Sequence, residues 1–285
     1  MADATTVHAL MVAQARRRAA GPALARPPAW PCVWLVHTAW PEPSPDAPRR
    51  PINHLAFCKV SWREWIRTVE IEPSLYAANF ARLGDQVNAL LRTGARIFHF
   101  DVGDGHFVEP ITMGPVVLQA VAPLVRAFEG GAVDCHLMVD NPTWHFHQIS
   151  RAGGDSVTFH YEVVDDVPAT IADARRHGLR VGVAFNPQTQ PEDVAAVAGD
   201  ADLVLCMSIN PGYSGQPFMP ESLDRIARLR AALPERVYVQ VDGGINHDNV
   251  RSVYDAGARL IVAGSAIFEH EDLGPAYRRL VQALA

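Results

Sequence analysis

From residue 69 to the C-terminus, short apolar runs rich in β-branched residues alternate with longer stretches in which apolar positions recur every three to four residues. The first pattern predicts buried strands, the second amphipathic helices. Strands are predicted at 69–74, 96–101, 133–138, 156–160, 180–185, 203–208, 237–241 and 260–263, and helices at 79–92, 115–128, 165–177, 220–233 and 247–256. Gly94, Gly153, Gly178 and Gly257 stand where a helix would end in a left-handed cap. Strands that alternate with helices imply an α/β protein with a parallel sheet. Eight such units in about 215 residues fit the lower end of the size range of a single closed (β/α)8 TIM barrel. A doubly wound open sheet is the alternative, but no G-x-G-x-x-G follows the first strand.

The first 69 residues do not share this pattern. They carry a charge balance of +5 against −11 for the remainder, within a net −6, and hold 9 of the 22 prolines, 5 of the 6 tryptophans and one glycine, Gly21. Prolines at 41, 43, 45, 48 and 51 interrupt any helix or central strand, so this stretch reads as an extended linker, preceded by a short helix around Arg16, Arg17 and Arg18. The expected organisation is an irregular or weakly ordered extension over 1–69 and one barrel over 70–285. Few acidic residues precede Glu42, as in a targeting segment, but the prolines and the lack of a cleavage pattern argue against that reading. An accidental upstream extension is favoured, with a docking arm as the rival, since tryptophans suit a solvated tail poorly.

Composition narrows the function classes. At 48% apolar and 20% charged, the chain is ordinary globular material. Cys32, Cys58, Cys135 and Cys206 form no C-x-x-C pair, which speaks against a disulfide framework or a thiolate zinc site and for a reducing cytoplasm. No apolar run approaches the roughly 20 residues of a membrane-spanning helix. The chain is expected to be a soluble cytoplasmic homo-oligomer that meets a small molecule, not nucleic acid or a membrane. Its single lysine, Lys59, lies in the extension, so a Schiff-base or pyridoxal-phosphate mechanism in the barrel is disfavoured. Proton transfer falls to carboxylates or histidines.

Barrel active sites sit at the C-terminal ends of the strands. His99 and Asp101 end the second predicted strand and share one face, because strand side chains alternate. His136 near the end of the third strand and Asp242 after the seventh add two more potential ligands. A lone His-x-Asp is more often a structural pair; its combination with His136 and Asp242 favours a metal. Two imidazoles and two carboxylates suit one divalent ion such as Zn2+, Fe2+, Mn2+ or Co2+ better than Mg2+ or Ca2+. Gly243-Gly244 and Gly264-Ser265 follow the seventh and eighth strands, where this fold commonly holds phosphate, although tight turns alone would also want glycine. The loop 210–216, with Gly212, Tyr213, Ser214 and Gly215, is long for a βα connection and reads as a flexible lid.

The segments IEPSLYAANFARLG, HFDVGDGHFVEPITMGP, CHLMVDNP, TFHYE, MSINPGYSGQPFM, VDGGI and VAGSAIF occur in order, and from about Ile71 to Phe268 the chain resembles the ribulose-phosphate 3-epimerase family of the ribulose-phosphate-binding barrels. That resemblance implies metal ligation by His99, Asp101, His136 and Asp242, with Asp101 and Asp242 as the acid/base pair that epimerises C3 of D-ribulose 5-phosphate through an enediolate. It implies substrate contacts from Ser74, His136, Met138 and Met207, phosphate contacts from Gly243, Gly244, Gly264 and Ser265, and a lid at Gly212, Tyr213, Ser214 and Gly215. His106 and His160 are candidate supports behind the ligands. Ser214 replaces a glycine usual in such a lid. Gly103 stands where the family usually has Met, a change expected to enlarge the pocket beside the reacting carbons and to admit a ketohexose 6-phosphate such as D-allulose 6-phosphate as the alternative substrate. A lyase of the same barrel group and a non-catalytic phosphosugar-binding barrel are rivals, disfavoured by the missing barrel lysine and by the complete two-His, two-Asp set.

Overall fold

A computed structural model of the protein describes residues 69–284. The readings made for residues 1–68, including the linker, the docking arm and the cysteines Cys32 and Cys58, lie outside the described residues.

Eight strands occur where the pattern places them: β1 (Glu70–Pro73), β2 (Ile97–Gly103), β3 (Ala132–Met138), β4 (Ser156–His160), β5 (Arg180–Phe185), β6 (Leu203–Met207), β7 (Tyr238–Asp242) and β8 (Leu260–Ala263). Every paired neighbour is parallel, in the order β1-β8-β7-β6-β5-β4-β3-β2. A parallel bridge between Ser74 and His99 spans the remaining seam between β1 and β2. The result is the expected (β/α)8 barrel.

Outside the sheet lie α1 (Leu83–Thr93), α2 (Pro115–Arg126), α3 (Thr143–Ala152), α4 (Val167–Arg176), α5 (Pro191–Val197), α6 (Ser222–Ala232), α7 (Val250–Ala256), α8 (Ser265–Phe268) and α9 (Leu273–Gln282). Helices α3, α5, α8 and α9 were not among the segments picked out from periodicity. α8 spans only four residues and α5 seven, and polar side chains from His145, His147, Gln148, Ser150 and Arg151 interrupt α3, so none of the three carries a long apolar stripe. None of the described helices is long and apolar enough to cross a membrane.

Strand alternation divides the core into two layers. On β2 and β3, Phe98, Phe100, Val133, Cys135 and Leu137 face outward into the large apolar layer beneath the helices, and all are fully buried. Removing each such side chain from water stabilises the fold by about 1.5–3 kcal/mol. Inside the barrel, Ile97, Ala132, Ala184, Leu203, Leu205, Met207 and Leu260 form a smaller apolar cluster. The rest of the interior is polar: Glu72, His99, Asp134, His136, Ser156, Thr158, His160 and Gln240 are all fully buried. The β2–β3 register sets His99 beside Asp134 and Asp101 beside His136, and this assembles the site.

Candidate active site

The strand ends open into a cleft. Its lining includes Ser74, Tyr76, Asp101, Met138, Met207 and Asp242, the loop residues Gly212, Tyr213, Ser214 and Gly215, and the turn residues Gly243, Gly244, Gly264 and Ser265. The structure therefore brings together every site residue picked out from the sequence except His99 and His136, which lie fully buried beneath the floor.

Four side chains converge at that floor. His99, Asp101, His136 and Asp242 each offer one ligand atom, and the four atoms lie within 4.8 Å of one another. Asp101 Oδ1 is 3.3 Å from His99 Nε2 and 3.1 Å from His136 Nδ1. Ser74 Oγ donates to the other oxygen, Asp101 Oδ2, at 2.7 Å. His99 Nε2 is buried and makes no well-aligned hydrogen bond, its 3.3 Å approach to Asp101 Oδ1 being an ion-pair contact. An imidazole nitrogen so placed among carboxylates fits a cation ligand, because metal coordination would satisfy it. The donor set therefore fits a divalent ion of the borderline class.

The layer below holds these side chains in place. Asp134, two residues before His136, faces His99 Nδ1 at 3.2 Å and accepts from Ser156 Oγ at 2.6 Å and from Gln240 Nε2 at 2.8 Å. Gln240 Nε2 also donates to Glu72 Oε2 at 2.6 Å. Behind His136, the His160 ring meets it edge to edge, Nε2 to Nε2 at 2.9 Å, and contacts Glu162 Oε2 through Nδ1 at 3.3 Å. His160 is thus placed as a support, whereas His106 is exposed and bonds only through its backbone N–H to Asp104. Its neighbour Phe107 packs on His160 instead, with ring centroids 4.6 Å apart.

Burial and neighbouring charge push these groups apart. Burial, then the negative charge of Asp101, raises the Asp242 carboxyl to about 7. Burial also opposes ionisation of Asp101, but His99 and His136 outweigh it and hold its carboxyl well below the usual range. Burial disfavours charge on His99 too, yet Asp101 and Asp134 raise its imidazole well above the ordinary value. Burial keeps His136 below the ordinary histidine range and takes His160 down to about 4. One carboxyl thus leans neutral and the other is ionised, across one cleft.

Two expectations need correction or refinement. Gly103 does not enlarge the cleft: a Cβ there would meet the Pro110 carbonyl oxygen at 2.8 Å and the Cγ2 atoms of Thr112 and Val108 at 3.0 Å. The loop 104–114 folds back into that space, and Gly103 is absent from the cleft lining. Gly243 and Gly244 have φ of +123° and +65°, and a Cβ on Gly244 would lie 2.4 Å from Phe218 N, so turn geometry by itself demands glycine there. Tyr76, Glu72, Asp134, Gln240 and Glu162 escaped the sequence reading. Glu72, Asp134 and Gln240 each lie two positions before a residue that it did pick out, and strand periodicity carries that signal.

The sequence matches the Ribulose-phosphate 3 epimerase family over residues 70–268. It is 37% identical to ribulose-phosphate 3-epimerase 2 of Cupriavidus necator, over 76% of this chain and 92% of that protein. It is 36% identical to ribulose-phosphate 3-epimerase of Bacillus subtilis, over 72% of this chain and 94% of that one. Among solved structures, 3-hexulose-6-phosphate synthase from Salmonella typhimurium matches with a TM-score of 0.57 at 17% identity, over 75% of this chain and 98% of that one, a likeness of fold alone. With the family's match running from β1 through α8, the chain belongs to the ribulose-phosphate 3-epimerase family.

Proposed function

We propose that the chain interconverts D-ribulose 5-phosphate and D-xylulose 5-phosphate by metal-dependent proton transfer at C3, with residues 70–285 as the catalytic domain and 1–69 as an extension outside it. The observation that carries the reading is the convergence of His99, Asp101, His136 and Asp242 on one point beneath the cleft. Epimerisation removes the C3 proton from one face of the sugar and returns one to the other face. Asp101 on β2 and Asp242 on β7 rise from separated strands and serve as base and acid on the two faces. Ser74 holds Asp101 through its hydroxyl.

A bound divalent ion, held by His99, Asp101, His136 and Asp242, would supply Lewis-acid stabilisation of the oxyanion that develops beside C3, worth several kcal/mol. Met138 and Met207 give the carbon chain an apolar wall. Gly243, Gly244, Gly264 and Ser265 hold the phosphate through backbone N–H groups at the two turns. The 210–216 loop covers it, and Tyr213 Oη reaches Glu109 Oε2 at 3.3 Å across the mouth. With the space beside Gly103 filled, no observation favours the hexulose substrate. On this reading the protein is a cytoplasmic homo-oligomer that meets a ketose phosphate rather than nucleic acid or a membrane.

The test is C3 proton exchange and epimerisation by the metal-reconstituted full chain on D-ribulose 5-phosphate beside D-allulose 6-phosphate, with Asp101→Asn and Asp242→Asn as controls. Turnover of the pentulose, lost in both variants, is the expected result. Absence of exchange on either sugar would sink the epimerase reading.

A further inference from the structure

Beneath the cleft, Asp101, His136, His160 and Glu162 form an unbroken chain of contacts: Asp101 Oδ1 to His136 Nδ1 at 3.1 Å, His136 Nε2 to His160 Nε2 at 2.9 Å, and His160 Nδ1 to Glu162 Oε2 at 3.3 Å. Both ends are carboxylates, which only accept hydrogen bonds when ionised, and each neutral imidazole brings a single N–H. Three contacts therefore share two protons. A cation at the Asp101 end completes the chain, because it takes the lone pair of His136 Nδ1 and needs no proton there. The remaining two contacts then run in one direction, with His136 Nε2–H donating to His160 Nε2 and His160 Nδ1–H donating to Glu162.

The far end of the chain is fixed. Glu162 Oε1 accepts from the Asn186 backbone N–H at 2.8 Å and from Thr189 Oγ1 at 2.5 Å, which leaves Oε2 for His160. The His136 and His160 ring centroids lie 5.0 Å apart with 27° between planes, as their edge-to-edge contact requires, and Phe107 packs on His160. His99 uses the opposite nitrogen by the same logic, since Asp134 engages its Nδ1 and leaves Nε2 to the site. We propose that Glu162 is a positioning residue which, acting through His160, fixes the tautomer of His136 so that its Nδ1 lone pair faces the cation site. The inference rests on the metal-dependent reading of that site.

The isosteric change Glu162→Gln makes a sharp test. The two donors at Oε1 would hold the amide oxygen there and turn the amide NH2 toward His160 Nδ1. His160 would then carry its proton on Nε2, His136 would accept at Nε2, and the His136 proton would move to Nδ1, where it blocks the cation. Glu162→Ala reverses nothing, because the Glu162 side chain is 24% exposed and water can accept from His160. Loss of a merely structural contact would make the shape-preserving Gln variant the milder of the two, whereas the relay makes it the more severe.

Metal-stripped full-length wild type and both variants are titrated with Co2+ and followed by visible absorption, and the zinc-saturated wild type is examined by 15N NMR of its histidines. The expected outcome is cobalt affinity in the order wild type, Ala, Gln, with Gln about 10–100-fold weaker than wild type, and His160 carrying its proton on Nδ1. Cobalt bound by Gln as tightly as by Ala, or a wild-type His160 protonated on Nε2, would overturn the relay while leaving the metal site standing. A folded wild type that binds no cobalt would overturn the metal-dependent reading, and this inference with it.

Discussion

The space beside Gly103 offers the most direct test of how the barrel mouth is built. Adding one methyl, Gly103→Ala, would place Cβ 2.8 Å from the Pro110 carbonyl oxygen and 3.0 Å from two methyl carbons, against an ordinary separation of about 3.5 Å or more. The oxygen belongs to the backbone and cannot rotate away. The loop that carries it is pinned to β2 by Thr112, whose Oγ1 accepts from Gly103 N–H and donates to the Asp101 carbonyl, both at 2.6 Å. Relief requires the loop 104–114 to lift by roughly half an ångström, and overpacking of this kind costs about 1–3 kcal/mol. In a domain of this size each kcal/mol lowers Tm by about 2–4 °C.

The damage should reach function. The position beside Gly212 in the lid lies within 3.5 Å of Val108 and Pro110, and Asp101 is two residues from the wedge, so kcat/KM should fall by about 10-fold, toward 100-fold if the displacement nears 1 Å. Thermal unfolding and steady-state epimerase kinetics on the full chain report both effects. An unchanged or raised Tm would mean that the space is open after all, as the sequence alone suggested, and would refute the filled-mouth account.

Three further outcomes follow from the buried charges. Burial, then the charge of Asp134, holds the Glu72 carboxyl well above its ordinary 4.5, so the folded state binds that proton more tightly than the unfolded chain. The resulting stability is complete below 4.5 and is lost as pH rises through the folded value; the Tm advantage of metal-free Glu72→Gln over wild type should grow from pH 5 to 9, and a constant difference would refute the assignment. Chelation should lower Tm and Co2+ should restore it with a logarithmic dose dependence, about 2.7 kcal/mol at 100 times Kd; a Tm indifferent to cobalt would count against the site. Cobalt binding near pH 6 should release at least one proton, because Asp242 titrates at about 7 and His99 is charged well above its ordinary range; calorimetry in buffers of different ionisation enthalpy measures the release, and zero would contradict these assignments.

The barrel was legible because eight apolar runs separated by helical periodicity admit few other folds. Strands at 156–160, 180–185 and 260–263 were read to the residue, whereas β2 runs two residues past its predicted end. Gly103 reads locally as a strand terminator, and only the partnering of Gly103 with Met138 on β3 keeps it in the sheet. The four convergent candidate ligands were legible because they sit at strand ends with the right parity. Glu162 was not, because its role depends on contacts with Asn186 and Thr189 from the next βα loop, and no local pattern announces them. The Gly103 expectation failed for a related reason: the missing side chain was visible in the sequence, but the loop that takes its place was not.

The polar half of the barrel interior follows from the same strand parity that sets the ligands. Any residue two positions before a ligand points into the barrel, one layer down, where water does not reach. An apolar residue there would leave the inner nitrogen of His99 without a partner, at a cost of about 1–3 kcal/mol, and free to take the wrong tautomer. Asp134 removes that cost, but it is itself a buried carboxylate and needs the donors Ser156 and Gln240. Gln240 in turn has a second N–H, which Glu72 accepts. Each polar residue thus requires the next until the chain of donors meets apolar walls at Leu203, Leu205 and Leu260. Burial first, and the charge of a neighbouring carboxylate second, lean Asp242 and Glu72 toward their neutral forms, and a divalent cation at the floor is a charge that would let Asp242 ionise.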